Sequence, residues 1–595
     1  MRLPRGRRIG QHGETSLRKD VRIVSSGPRP PRHPSDLLTA TVIRSLRLGP
    51  RRNKITVDRG LRIPMRDGTI LMGDHFAPVT GSRRPTILMR SPYGRGWQMQ
   101  LMARPFAERG YHVLLQSSRG TFGSGGRFRP AADEARDGQD TVAWLRGQDW
   151  FNGRLAAVGA SYLAFAAWAL AVDPPPELFA MAVQISPHDL AAAGFGQGPF
   201  ELYNLLMWSD LMAHQERHGS AVMLWRTMTS EKRLAPALNR LPLARTAATI
   251  GGDGAPWYAD WIAHPNPADR YWAGYSAAQA LERVAVPTLL ITGFHDFFVE
   301  QTIGQYHALR GRGVQTGLTI GPWHHMTLDL GTAIRETVQW LDAFAGTDDS
   351  SSPRRAGTRV WQSGTRQWRE LDQWPPPEAR AREWYLHAGG SLTAEEPAGH
   401  GASTVRYDPA DPTPSVGGRI MSMRRAGSRE NAALEARPDV LTFSTPPLEQ
   451  PVEVAGVPRV RLYLSSDNAH HDIFVRLCDV DERGASRNLT DQIVRSVPAE
   501  VPVGQVRSVT IALTDVSHVF LPGHRIRLQL AGGAHPRFAR NLGVPLDLQH
   551  GTRTVPVTHQ VRHEANHKSA IALPVVTSAP PPAEAKRAGR LAAEV

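Results

Sequence analysis

The chain has 595 residues, 41% of them apolar and 21% charged. It is too long for one hydrophobic core and too apolar to be disordered, so two or three globular domains are expected. Its single cysteine, Cys478, excludes a disulfide framework and any multi-cysteine metal centre. The formal charge of +15 points to nucleic acid only until it is located. Residues 1–54 hold 14 Lys/Arg against Glu14, Asp20 and Asp36, so they carry +11 of it and the remaining body is nearly neutral.

Residues 1–54 show no hydrophobic periodicity and include a Pro/Arg segment from Pro28 to Pro34, which predicts a flexible basic tail. The tail has no apolar h-region, so a cytoplasmic protein is expected. Only Lys19, Lys54, Lys232, Lys568 and Lys586 are lysines among the 70 basic residues. That bias weighs against the arginines of the tail as an evolved anion-binding arm, and no specific nucleic-acid partner is expected.

From Ile55 the pattern becomes regular. Ile55–Ile63 and Thr69–Phe76 flank Asp67-Gly68, a hairpin signal. Short apolar runs then alternate with helical stretches: Thr86–Met89, Tyr111–Gln116, Leu155–Val158, Met181–Ile185, Thr288–Ile291 and Leu318–Ile320, with an amphipathic helix over Asp133–Arg146. This rhythm predicts an α/β fold, a doubly wound parallel sheet over 55–190 and 286–348. The uncharged run Leu155–Val172 is broken by Gly159-Ala160-Ser161 and closed by Asp173 and three prolines. It reads as strand, turn and helix, not as a membrane span. Residues 191–285 are rich in Met, Trp and helix formers and predict a helical cap inserted between two sheet strands.

Asp349 to Pro353 reads as a linker. Beyond it, runs such as Arg459-Val-Arg-Leu-Tyr-Leu464, Asp472-Ile-Phe-Val-Arg-Leu477 and Arg525-Ile-Arg-Leu-Gln-Leu530 alternate with period two, which predicts an all-β jelly roll over 354–576. Residues 577–595, with Pro580-Pro581-Pro582, read as a disordered tail.

The motif richest in chemistry is Gly159-Ala160-Ser161-Tyr162-Leu163-Ala164, placed between a strand and a small-residue helix. Such a turn exposes a serine Oγ at the carboxyl edge of the sheet, with the next backbone N–H facing a developing oxyanion. Leu163 stands where G-x-S-x-G has its second glycine, and a helix-capping serine is the competing reading. A serine hydroxyl needs a base and an orienting acid. In this architecture they follow in the chain order Ser, Asp, His, each just beyond a later strand, where Gly293-Phe294-His295-Asp296 and Gly321-Pro322-Trp323-His324-His325 stand. His295 beside Asp296 has no second ligand at metal spacing, and no metal or cofactor is expected.

Taken with Pro64-Met65-Arg66-Asp67-Gly68, Arg90-Ser91-Pro92-Tyr93, the run from Ser118 to Gly126, Gly523-His524-Arg525-Ile526-Arg527 and Pro536 to Asn541, these motifs make a recognisable set. From about Ile55 to Val576 the chain resembles the serine hydrolase family that contains cocaine esterase, α-amino-acid ester hydrolases, glutaryl-acylases and Xaa-Pro dipeptidyl-peptidases. The resemblance implies an α/β-hydrolase domain, a helical cap and a C-terminal jelly roll. It implies Ser161 as nucleophile, Asp296 as orienting acid and His325 as base, with the Tyr93 hydroxyl and the Tyr162 N–H as oxyanion donors. Ala164, Phe294-His295, Ser117-Ser118 and His324 depart from the usual family residues, and His324 makes the choice of base ambiguous. Trp168, Phe297 and Phe298 are candidate pocket residues, with core packing as the alternative. The expected substrate is a small ester, amide or short peptide. An Xaa-Pro dipeptidyl-peptidase would need carboxylates gripping a free amine, for which the insertion offers Glu201, Asp210, Glu216 and Asp260. A catalytically inactive scaffold binding carbohydrate or nucleic acid is the remaining reading.

Overall fold

The computed structural model describes residues 53–79, 84–250, 255–345, 356–497 and 503–577, together with Ile43, Leu46 and Leu48. Both expected tails and the linker at 349–353 fall almost wholly outside these residues.

Ten strands form the first sheet: β1 (Ile55–Pro64), β2 (Ile70–Pro78), β3 (Thr86–Ser91), β4 (His112–Ser117), β5 (Leu155–Ala160), β6 (Leu178–Gln184), β7 (Thr288–His295), β8 (Thr316–His324), β9 (Gly357–Gln362) and β10 (Gln367–Leu371). Their spatial order is β1-β2-β4-β3-β5-β6-β7-β8-β9-β10. The run from β4 to β9 is parallel, and an antiparallel pairing closes each end. The central strands are buried on both faces; Thr86–Ser91 and His112–Ser117 are buried at every position, as their continuous apolar runs require when helices cover both sides. The Asp67-Gly68 turn joins β1 to β2 with Gly68 at φ +80°, a conformation open to glycine at little cost.

Between β6 and β7 the chain leaves the sheet and forms the helices Leu190–Phe195, Leu202–His214, Ser220–Met228, Ser230–Leu238, Pro256–Ala263 and Ala280–Arg283. This insertion shares one apolar core with the sheet: Trp168 and Phe165 cluster with Phe200, Tyr203, Tyr258 and Trp261. It therefore sits over the carboxyl edge as a packed layer.

The second half is all β, with a core of its own that includes Val460, Leu462, Leu464, Ile526, Leu528 and Leu530. The alternation in Arg459–Ser466 and Arg525–Ala531 is seen directly as burial at every second residue before the strands pass inside. Asp472–Val480 differs: all but one of its residues are buried. Its polar positions lie beneath other segments, where Asp472 pairs with Arg495 and Arg476 with Asp491 and Asn431. β9 and β10, which follow the expected linker, extend the first sheet, because Gly357–Val360 pair in parallel with β8. Among the described residues no helix is long and apolar enough to cross a membrane.

Candidate active site

Three strand ends converge at the carboxyl edge of the sheet, the place where open α/β sheets hold their ligands. At the end of β5, Ser161 adopts φ +57° and ψ −123°, a backbone conformation costly for a residue with a side chain. Three hydrogen bonds hold it there: Ser161 N donates to Gln184 O at 2.9 Å, and its carbonyl accepts from the N–H groups of Ala164 (2.9 Å) and Phe165 (3.1 Å). Gly159 makes the turn possible, since a Cβ there would meet the Leu163 carbonyl carbon at 2.4 Å. Leu163 itself is accommodated because its side chain points away from the turn into the core beside Ile87, Met89 and Val158.

β7 and β8 are parallel neighbours, and their register pairs His295 with His324. The next residue on each strand is therefore brought beside the other: Asp296 Oδ1 lies 2.6 Å from His325 Nδ1. The other carboxylate oxygen accepts from Phe298 N (2.9 Å) and Thr292 Oγ1 (3.3 Å), and Asp296 has no solvent exposure. His325 Nε2 is 3.0 Å from Ser161 Oγ. Gly293 is obligatory in this crossing, since a Cβ there would meet the Trp323 carbonyl oxygen at 2.2 Å.

The adjacent histidine takes no part in this line. The His324 ring lies towards Gly427 of the all-β unit, as does that of His295. Burial, with the positive charge of Arg429 adding to it, holds His324 down at about 4. Burial likewise holds His295 at about 4, against the pull of Asp491. Both rings are neutral at pH 7.

Tyr93 follows β3 and reaches the same point from the other side. Its backbone N–H is fixed on Ser91 Oγ at 3.0 Å. Its hydroxyl lies near the Ser161 side chain and accepts from the indole Nε1 of Trp208 at 3.0 Å; burial pushes the phenol above its ordinary value. Tyr162 opens the helix Tyr162–Leu170, so its N–H has no carbonyl one turn back and stands free at the helix start. The Tyr162 ring is anchored behind, its hydroxyl donating to Glu134 Oε1 (3.1 Å) and accepting from Ala131 N (2.9 Å).

Ser161 and His325 open into an apolar cavity. Phe297 and Phe298 line it. Trp168 does not: it is fully buried two turns into the helix after Ser161, where its indole donates to Ser186 Oγ at 2.8 Å. That face of the helix packs into the core, so Trp168 is a core residue. The rest of the wall includes Asn204, Leu190, Leu205, Trp208 and Trp261 of the insertion and Met421 of the all-β unit. Sequence reasoning missed these last three, although tryptophans in an inserted helix over a sheet edge were a usable signal.

None of the four acidic candidates of the insertion lines the cavity. Asp210 is held by Arg226 and Arg233, and Glu216 accepts from Phe122 N. Asp260 is exposed. Glu201 is buried against Arg537 (3.4 Å) and Asn204 (2.9 Å). Among the described residues no cluster of three or more His, Cys, Asp or Glu could hold a metal ion.

Comparison with known proteins agrees with this architecture. Residues 67–327 match the family model of X-Pro dipeptidyl-peptidase (S15 family), and residues 354–572 match that of the X-Pro dipeptidyl-peptidase C-terminal non-catalytic domain. Cocaine esterase of Rhodococcus sp. (strain MB1 Bresler) is 28% identical over 576 residues, which is 88% of this chain and 99% of that protein. Two solved structures share the fold at 23% identity and a TM-score of 0.75. An aminopeptidase from a marine sediment Thaumarchaeota archaeon aligns over 93% of this chain and 99% of its own. An α-amino acid ester hydrolase aligns over 89% and 98%. With both models matched in order along the chain, an α/β-hydrolase sheet and an all-β C-terminal unit, the chain belongs to the X-Pro dipeptidyl-peptidase and cocaine esterase family of serine hydrolases.

Proposed function

We propose that the protein hydrolyses carboxylic esters with an uncharged, apolar acyl group through an acyl-serine intermediate. The observation that carries this reading is the unbroken hydrogen-bond line Ser161–His325–Asp296 at the mouth of an apolar cavity. His325 Nε2 takes the Ser161 proton as Oγ attacks the carbonyl carbon, then delivers it to the leaving oxygen. Asp296 keeps the proton on Nδ1 and offsets the charge of the imidazolium. The carbonyl oxygen, negative in the tetrahedral intermediate, is met by the Tyr93 hydroxyl and the Tyr162 N–H. A water repeats the sequence in reverse and frees the acid.

A second reading, release of N-terminal Xaa-Pro dipeptides, draws on the name of the matching family models. A free α-amine buried in the cavity would need a carboxylate facing it, and among the described residues that line the cavity none is acidic. The ester reading is therefore preferred. A fluorophosphonate should label Ser161, and p-nitrophenyl esters of aryl or branched acids should be turned over far faster than Xaa-Pro-p-nitroanilides. The opposite preference would reverse the order of the two readings.

A further inference from the structure

We propose that Trp208, on the cap helix Leu202–His214, is the positioning residue that aims the Tyr93 hydroxyl at the reacting carbonyl oxygen. The proposal rests on the reading of Tyr93 as an oxyanion donor. An indole N–H can only donate, whereas a phenol has one hydrogen and two lone pairs. With Trp208 Nε1 donating to the phenol oxygen at 3.0 Å, Tyr93 must accept from it and cannot spend its hydrogen there. The hydrogen is thereby left for the nucleophile side, where Ser161 lies near the phenol and the tetrahedral oxygen forms. The donated bond also draws charge from the phenol oxygen, which strengthens the phenol as a donor. Burial raises the phenol, and the contact with Trp208 pulls it back down.

The indole cannot swing away from this duty. It is stacked between Tyr162 (centroids 6.0 Å apart, planes at 11°) and Trp261 (6.0 Å, 19°), and Phe128 packs at 6.5 Å. Tyr162 is the residue that carries the second oxyanion donor, so one aromatic stack ties the cap to both donors. A hydroxyl left to rotate would have to be oriented as charge develops, whereas a preoriented donor avoids that reorganisation.

The competing role for Trp208 is that of an inert wall of the acyl pocket. A double-mutant cycle on an activated ester separates the two. Trp208→Phe should lower kcat roughly 10-fold, the worth of one hydrogen bond, with KM within about twofold. In a Tyr93→Phe background the same change should cost less than about twofold, because there is no hydroxyl left to aim. If Trp208→Phe is poorly folded, benzothienylalanine at position 208 keeps the bicyclic shape without the N–H and should give the same result. Equal losses in both backgrounds, or a change confined to KM, would overturn the proposal while leaving Tyr93 in place. An unaltered kcat in Tyr93→Phe alone would overturn the oxyanion reading itself, and this proposal with it.

Discussion

The cavity has two sides built on different terms. On the sheet side, Ser161, Asp296, His325 and Tyr93 each sit within a few residues of a strand end, and the strands share one hydrogen-bonded register. On the opposite side, Trp208 and Trp261 come from an insertion and Met421 from the all-β unit, 160 residues beyond Trp261 in the chain. The first side can be altered at one atom without disturbing a core. The second cannot: Met421 N is held by Asn204 Oδ1 at 2.8 Å, and Asn204 is held by Glu201, which faces Arg537 and its partner Asp491. Chemistry is thus kept on short loops above a rigid sheet, and shape is kept on a buried interdomain network. Substitutions on the first side should change turnover, and substitutions on the second, Trp208 apart, should change stability and selectivity.

The sharpest break of that division is at the proposed nucleophile. Ser161→Ala should lower kcat by about 10⁶ and abolish fluorophosphonate labelling, with the melting temperature unchanged. A large fall in melting temperature would mean that the strained turn depends on the hydroxyl. Next come the paired histidines. His325→Ala should cost a similar factor, whereas His324→Ala should leave kcat within about one order of magnitude, since its ring lies towards Gly427 and not Ser161. The reverse ranking would place the base one residue earlier. Tyr93→Phe should lower kcat by roughly 10²–10³ with little change in KM; a shift in melting temperature with kcat intact would make Tyr93 a packing residue.

The smallest effect on turnover lies in the interdomain network. Burial pushes Glu201 up to about 7, against the opposing pull of Arg537 and Arg419. Because this folded value exceeds the ordinary 4.5, the folded state holds a proton that the unfolded chain has released between the two. Its contribution to stability is present below pH 4.5 and is lost as pH rises through 7. Glu201→Gln should therefore melt at about the wild-type temperature at roughly pH 4 and gain progressively on wild type up to about pH 8, with kcat retained. A difference that stays flat with pH would show that Glu201 titrates alike in the folded and unfolded chain and is not raised by burial.

The same division explains which features are legible in the sequence. A nucleophile turn announces itself locally, because Gly159, Ser161 and the preceding apolar strand must be consecutive, and Gly293 must precede its acid for backbone reasons alone. The expected helix over Asp133–Arg146 is present as Glu134–Leu145 for the same reason, a periodic face on a known period. Trp208 carries no local mark. In a helix where nine of thirteen residues are buried, nothing distinguishes the tryptophan that meets Tyr93 from those that merely fill space. Trp168 misled in the other direction, since proximity to Ser161 in sequence does not say which face of a helix turns to the cavity. Which sheet β9 and β10 join was hidden too, because a short alternating hairpin looks the same whether it joins one sheet or the other.

That hairpin, β9 with β10, bears on how the molecule could be divided. A chain ended in the linker before Gly357 would retain every residue of the Ser161–His325–Asp296 line, yet it would strip the cover from β8. A parallel strand buried on both faces would then present a row of unpaired backbone groups at a sheet margin, the arrangement that recruits other chains into aggregates. Any excised hydrolase half needs to run to Leu371 at least. Fusions or permutations aimed at the apparent gap between the two halves would cut through a sheet, not between two units.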